Sequence, residues 1–382
     1  MFINFWYAAG RSADLTDTPT KVRMLGQNFV LFRDSSGEAH CLSNVCTHRG
    51  GSLAGGKMRG DCVECPYHGW QFNGAGECTK IPSLGKDGKV PARTKIDSYP
   101  VQEKYGLIFA FLGDLPEDER PPILDIKEYG SEGWRATVQK FEWSIDYKRS
   151  IENSIDPAHN EFVHDTHGFG GDDDDYRVHE LNLVEDEWST GFWNKMYAPP
   201  LAEGKMRQAS GREEATFIDA GTGHVGISSV WTHIHPTPEM HIHQYLFETP
   251  IEEDETQFYL VNLRNFLATP EHDERMMGRN LYVAGQDKQV LEDVEPVISP
   301  STNIHEVFMP HDHPIALYRK KMKAWQDKGW RIDTEEVERT RKRVAYAIPS
   351  PARRSSKGWV IDSVPLKSAA NASKEKAKRA AE

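Results

Sequence analysis

Cys46-Thr47-His48-Arg49-Gly50-Gly51 and, farther along the same stretch, Cys65-Pro66-Tyr67-His68-Gly69-Trp70 carry the pattern that decides the fold. The spacing is C-x-H, then sixteen residues, then C-x-x-H. Two thiolates and two imidazoles placed this closely converge on one small inorganic centre. By ligand identity the set suits Zn2+ as well as a [2Fe-2S] cluster. Each pair is closed by glycine, which lets loop N–H groups approach a cluster's sulfides. Cys62 also forms C-x-x-C with Cys65, but the better-matched spacing leaves it outside the centre. Cys41, Cys62 and Cys78 read as small core residues. All five cysteines fall between positions 41 and 78, and an odd number argues against a disulfide framework.

A second constellation lies downstream, in Glu152-Asn153-Ser154-Ile155-Asp156-Pro157-Ala158-His159-Asn160-Glu161-Phe162-Val163-His164. The periodicity predicts a helix over roughly 146–165. On such a helix, residues five apart point about 140° from each other. His159 and His164 therefore share a metal only across a bulge, or if the helix ends between them. Asp156 and His159 share a face, so that carboxylate can orient the imidazole. The other reading is an N-cap at Asp156, Pro157 at N1 and two surface histidines. A non-heme Fe(II) oxygenase site needs two histidines and one carboxylate on one side of the metal. Gln286-Asp287-Lys288-Gln289-Val290-Leu291-Glu292-Asp293, far downstream, offers Asp287 and Asp293 as candidate carboxylates at an expected helix start.

Working outward, 382 residues favour two domains. The 10 Trp, 13 Tyr and 16 Phe are enough for a sizeable core and exclude a chain disordered throughout. A formal charge of -12 gives no basic face for nucleic acid. No apolar run reaches the ~20 residues a membrane span needs. Met1–Tyr7 lacks the marks of a signal peptide, so the expected compartment is the cytoplasm. Short strands broken by turn residues fill the first 112 positions, with Leu107–Leu112 as a buried strand. The polar, proline-rich stretch 113–122 reads as an interdomain linker. Strands are expected at Trp231–His235 and Met240–Phe247, and helices at about 270–296 and Ile315–Lys328. The acidic loop through Asp172–Asp175 reads as solvated rather than calcium-binding.

His233, His235, His241 and His243 form two H-x-H pairs around Pro236-Thr237-Pro238. They can form a further metal site, but read as ordinary strand histidines because no cysteine or carboxylate partner is evident. No GxGxxG lies between a strand and a helix, so electrons must come from elsewhere.

Cys46-Thr47-His48-Arg49-Gly50 with Cys65-Pro66-Tyr67-His68-Gly69-Trp70 resembles the two fingers of a Rieske domain. The Glu152–His164 segment resembles the catalytic motif of Rieske non-heme iron oxygenases. The resemblance spans roughly residues 1–350 and implies an α+β chain. Residues 1–115 would form an all-β Rieske domain, and 116–355 a helix-grip domain of antiparallel sheet and long helix. Outside that resemblance, residues 356–382, rich in Ala, Lys and Ser from Lys367 and without an apolar face there, read as a disordered tail. The resemblance implies a [2Fe-2S] cluster on Cys46, His48, Cys65 and His68, and a mononuclear Fe(II) on His159, His164 and Asp287. Asp156 and Asn153 would be catalytic, Asp156 bridging to His68 of a neighbouring chain in a head-to-tail homotrimer. The implied activity is O2-dependent hydroxylation or oxidative demethylation of a bulky cyclic or aromatic small molecule. Electrons would come from a separate ferredoxin and/or flavin reductase drawing on NAD(P)H. Aromatic cis-dihydroxylation is the alternative within the family, and a Rieske electron carrier the alternative outside it.

Overall fold

The computed structural model describes residues 1–165, 174–200 and 204–369. Two compact units emerge, one of residues 1–122 with 324–382 and one of residues 123–323.

Residues 1–122 of the first unit build three small sheets. Phe5–Arg11, Leu107–Leu112 and Val101–Lys104 make one, antiparallel throughout. Its central strand Leu107–Leu112 is buried at every position, as a continuous apolar run requires. Gln27–Arg33 lies inside a second sheet. Lys57–Arg59, Cys62–Glu64, Gln71–Phe72 and Cys78–Lys80 make the third and flank the second cysteine–histidine pair. The expected linker is fastened to this unit: Asn4 Oδ1 accepts from the backbone of Asp114 and Leu115 (2.8 and 3.2 Å), and Trp6 Nε1 donates to Pro121 O at 3.0 Å.

The chain's last described stretch departs from the expected 116–355 block and from a tail disordered from 356. The described residues from 324 to 369 belong to the first unit. Arg353 forks onto Asp97 with two 2.7 Å bonds, and Tyr99 OH donates to Ile348 O at 2.7 Å. Asp362–Ser363 pairs in parallel with Tyr346–Ala347, and Val364 is buried. The Arg353–Asp97 ion pair and the buried Val364 hold the chain in place as far as residue 364, before the Ala-, Lys- and Ser-rich end that begins at Lys367. Residues 370–382 lie outside the described residues.

The second unit is a seven-stranded antiparallel sheet. Across the sheet the order is Arg135–Trp143, Glu255–Arg264, Ile242–Glu252, Ser229–His235, Thr216–Val225, Ser189–Ala198 and Asn182–Glu185. The helix Asp273–Leu291 packs on it. Gln139 Nε2 donates to Met277 O at 3.0 Å, and Ala284 and Leu291 pack against Trp143, Ile145 and Phe258. Asp273, in the helix's first turn, takes Arg135 at 2.6 Å and the fully buried Arg264 at 2.7 Å. Its charge also suits the positive helix end.

Two helix expectations change. The one over 146–165 splits into Tyr147–Ser154 and Asn160–Val163. Pro157 disfavours helical backbone at Asp156, so the first helix ends before it. The helix carrying Asp287 begins after Thr269-Pro270, with acids in its first turn, so Asp287 sits near its C-terminal end rather than at its start. The helix expected at Ile315–Lys328 runs His313–Asp327. Asp172–Asp173 of the acidic run lie outside the described residues. Among the described residues no helix is long and apolar enough to cross a membrane.

Candidate metal centres and the cavity beside one of them

The two cysteine–histidine loops share one backbone design. Cys46 N donates to Gly51 O (2.9 Å) and Gly50 N returns to Cys46 O (2.9 Å); Cys65 N donates to Trp70 O (2.8 Å) and Gly69 N returns to Cys65 O (2.9 Å). Gly50 and Gly69 hold nearly equal positive φ values, 72° and 71°, a region that favours glycine. The thiols of Cys46 and Cys65 are buried in a core with Leu53, Val63 and Phe72. His48 and His68 are exposed, their Nδ1 atoms 3.1 Å apart, and His48 stacks on Trp70 at 4.6 Å. At Gly51 a Cβ would stand 2.9 Å from Cys65 Sγ, so glycine is what lets the loops close.

Several observations test whether this set fits a cluster. Burial, with Cys65 and Cys78 adding, pushes the Cys46 thiol up to about 12, so paired thiolates here require a cationic partner. The buried Thr47 hydroxyl has no partner among the described residues. No three of the four donors come within 4.8 Å of one another, as donors to one ion would. The set therefore fits a two-metal cluster better than a single zinc. Cys62 stands aside at 3.4 Å from Thr79 Oγ1, and Cys41 is fully buried.

His159, His164 and Asp287 do meet, with ligand atoms within 4.8 Å. The helix break resolves the five-residue spacing: His159 caps the single turn Asn160–Val163, and His164 follows it in extended backbone. His159 Nε2 and His164 Nε2 lie 3.7 and 3.4 Å from Asp287 Oδ1. The remaining ring nitrogens are tied. His159 Nδ1 donates to the backbone carbonyl of Asp156 at 2.7 Å. Asp156 thus orients His159 through its main chain rather than its carboxylate, whose Oδ1 accepts from Ala158 N at 2.7 Å. Gln286 Nε2 donates to Asp165 Oδ1 at 2.8 Å, which leaves Gln286 Oε1 to accept from His164 Nδ1 at 3.1 Å. Tyr282 OH holds the other Asp165 oxygen at 2.6 Å. Both imidazoles therefore turn Nε2 toward the carboxylate, as metal-ligating histidines do. Burial lowers the pKa of His159 despite Asp287 beside it, favouring the neutral form that binds metal. Asn153 Nδ2 donates to Asp287 Oδ1 at 3.0 Å. Asp293 is exposed beyond the helix end.

A cavity of about 780 Å³ opens beside this trio, within the range of small-molecule sites. Phe141, Trp143, Phe192, Tyr197 and Leu246 supply apolar wall. Arg275 and Arg279, one turn apart on the long helix, also line it. Desolvation, with Arg275 adding, lowers the Arg279 pKa, and among the described residues neither arginine pairs with a carboxylate. Arg212 lines the wall with a buried Nε that has no partner among the described residues. Sequence reasoning passed over Gln286, Asp165 and these arginines. The available signal was Arg279, which has no acid three or four residues away.

Residues 5–100 match the Rieske [2Fe-2S] domain, and residues 143–328 the vanillate O-demethylase oxygenase C-terminal domain. The iron–sulfur subunit of the toluene-4-sulfonate monooxygenase system of Comamonas testosteroni is 35% identical over 168 residues, 44% of this chain and 48% of that protein. The 5,5'-dehydrodivanillate O-demethylase oxygenase subunit of Sphingobium is 30% identical over 167 residues, 42% of this chain and 38% of that one. The matched stretch thus spans about half the length of these curated relatives or less. Among solved structures, dicamba monooxygenase with 3,6-dichlorosalicylic acid superposes with a TM-score of 0.72 at 23% identity, covering 86% of this chain and 98% of that one. The Pseudomonas putida CBB5 protein NdmA with caffeine gives 0.70 at 20%, covering 85% and 91%. At these identities the likeness is one of fold.

Proposed function

We propose, from the premise that this chain belongs to the Rieske oxygenase family, that it is a terminal oxygenase for a cyclic or aromatic substrate bearing an anionic group. Hydroxylation or oxidative demethylation is the reaction. The carrying observation is the meeting of His159, His164 and Asp287 at a cavity whose wall also bears Arg275 and Arg279.

Cys46, His48, Cys65 and His68 would hold the [2Fe-2S] cluster, and His159, His164 and Asp287 the mononuclear iron. The two groups together supply stored electrons and O2 activation. The chain's residues do the positioning. Asp156 O and Gln286 Oε1 accept hydrogen bonds from the two Nδ1–H groups, which fixes both imidazole tautomers. Asn153 holds Asp287 Oδ1 and so orients the carboxylate. The aromatic wall excludes water, and Arg279 anchors the substrate's anion. The absence of a dinucleotide fingerprint in the sequence favours a separate ferredoxin or flavin reductase as electron source. The exposed His48 and His68, with Tyr67 61% exposed beside them, suit burial against another subunit. The family resemblance implies a head-to-tail homotrimer in which Asp156 would meet the partner subunit's His68, and that exposed surface agrees with it.

Iron counting and a single turnover with 18O2 test this reading together. About three irons per chain are expected. Aromatic carboxylates and sulfonates with methyl or methoxy groups should gain one labelled oxygen or lose a methyl as aldehyde. Arg279→Ala should raise KM for such anions at least tenfold and leave neutral analogues unchanged. Two irons per chain, or turnover confined to neutral compounds, would overturn it.

A further inference from the structure

The sheet of the second unit has a second face. Thr232, Ile234, Ile242 and Gln244 line the cavity, so alternate residues on the same strands project to the opposite side. There His233 pairs with His243 across the ladder, and the turn Pro236-Thr237-Pro238 brings His235 and His241 beside them. Met240 N closes that turn on Thr237 O and Oγ1, and His241 N is fixed by Asn265 Oδ1 at 2.8 Å.

From this juxtaposition we infer a third metal site, formed by His235, His241 and His243, that takes a divalent transition ion of the zinc class. Each of the three offers a ring nitrogen within 4.8 Å of the others. His235 Nε2 and His243 Nε2 lie 3.4 Å apart. Two nitrogens bound tetrahedrally at zinc's bond length stand about 3.3 Å apart, so this edge is already at coordination spacing. Two of the outward nitrogens are engaged. His243 Nδ1 donates to Glu128 Oε1 at 3.1 Å, and Glu128 Oε2 accepts from Tyr245 OH at 3.2 Å. His241 Nε2 donates to Pro238 O at 3.0 Å, leaving Nδ1 as its ligand atom. A carboxylate or carbonyl on the far nitrogen is how a ligating imidazole is oriented. His233 stacks on His243 at 3.7 Å and Trp134 packs against it at 4.9 Å, so the buried ligand is held in place. An all-imidazole set favours zinc, cobalt, nickel or copper over magnesium or calcium, and three ligands leave a position for water.

The test dialyses the iron-loaded full chain against micromolar free Zn2+ and counts zinc and iron by mass spectrometry. One zinc per chain should bind with the iron content unchanged, which separates this site from the mononuclear one. His241→Ala and His235→Gln should each weaken zinc binding at least tenfold, and Glu128→Gln by about tenfold. His159→Ala should lower iron and leave this zinc in place. Zinc uptake that is absent, that displaces iron, or that survives both His235→Gln and His241→Ala overturns the proposal. None of these outcomes depends on substrate turnover, so the oxygenase reading stands or falls separately.

Discussion

Glu152→Gln should be among the most costly conservative substitutions in the second unit. Glu152 precedes Asn153 on the helix Tyr147–Ser154, and its carboxylate takes four bonds. Arg319 Nε and Nη2 donate at 2.7 and 2.8 Å, and Ser299 Oγ approaches at 2.9 and 3.0 Å. The side chains of Glu152 and Arg319 are only 7% and 8% exposed. The amide keeps the shape but removes the charge and turns an N–H donor toward a guanidinium or hydroxyl. Breaking a buried pair from one side costs about 3–5 kcal/mol. Arg319 keeps Glu306 at 2.7 Å, so the lower end, about 3 kcal/mol, is expected. For a unit of this size each kcal/mol moves the Tm by roughly 2–4 °C, giving a fall of about 6–12 °C. Thermal unfolding followed by circular dichroism reads it. Lys195→Ala, which breaks the exposed pair with Asp219, is the control at about 0–1 kcal/mol. A Glu152→Gln shift no larger than that of the control would refute the reasoning.

Acid stability carries a second expectation. His224 is fully buried, bonds Gly226 O through Nδ1 at 2.9 Å, and is pushed down to about 4 by burial. The neutral form is the one the fold accepts. Its contribution is therefore intact above the unfolded value near 6.5 and is lost as pH falls from there toward 4, about 3 kcal/mol in all. His224→Gln should reduce the difference between urea midpoints at pH 7 and pH 4.5, and an unchanged difference would contradict it. Gly51→Ala should cost most of the cluster's visible absorbance and reduced-state EPR signal, because its Cβ lands 2.9 Å from Cys65 Sγ and 3.3 Å from Tyr67 Cβ. Gly278→Ala, on the long helix with open space around it, should keep the signal and gain up to about 1 kcal/mol.

How much of this was legible in the sequence depends on the range of the interactions concerned. Cys46, His48, Cys65 and His68 sit in two short loops whose glycines and spacing are local, so their convergence could be read directly. Leu107–Leu112 was equally plain, since an unbroken apolar run leaves few alternatives. The His159/His164 geometry was half legible. The spacing demanded a break, and Asp156-Pro157 placed it, but the continuous helix was still expected. Asp156 was assigned through its carboxylate because side chains are what a sequence displays; the atom that reaches His159 is a backbone carbonyl. Gln286 and Asp165 act across 121 residues of chain, and Arg353 reaches back 256 residues to Asp97. No local pattern marks such partners, which is also why the chain's return to the first unit went unread.

The long helix sets a measure for the substrate proposed above. Arg279 precedes Asp287 by eight residues, so their Cα atoms stand about 12 Å apart along the axis. Asn280, Val283 and Ala284 line the cavity between them. An arginine side chain reaches roughly 6 Å, so with Arg279 turned toward the proposed iron ligands the anion would sit about 6 Å from them, and farther off otherwise. That span suits an aromatic acid of one or two rings with the reacting carbon at its far end. Arg275, a further turn away, adds about 6 Å and suits a longer molecule. The apolar wall bends this requirement toward flat, ring-shaped bodies, since Phe141, Trp143 and Phe192 offer ring surface and few donors. On the proposed reading shape comes from the sheet and length from the helix, which carries both the proposed anion anchor Arg279 and the proposed ligand Asp287. Because Asp273 ties its first turn to Arg135 and Arg264, the spacing between anchor and ligand is set by backbone geometry rather than by loops.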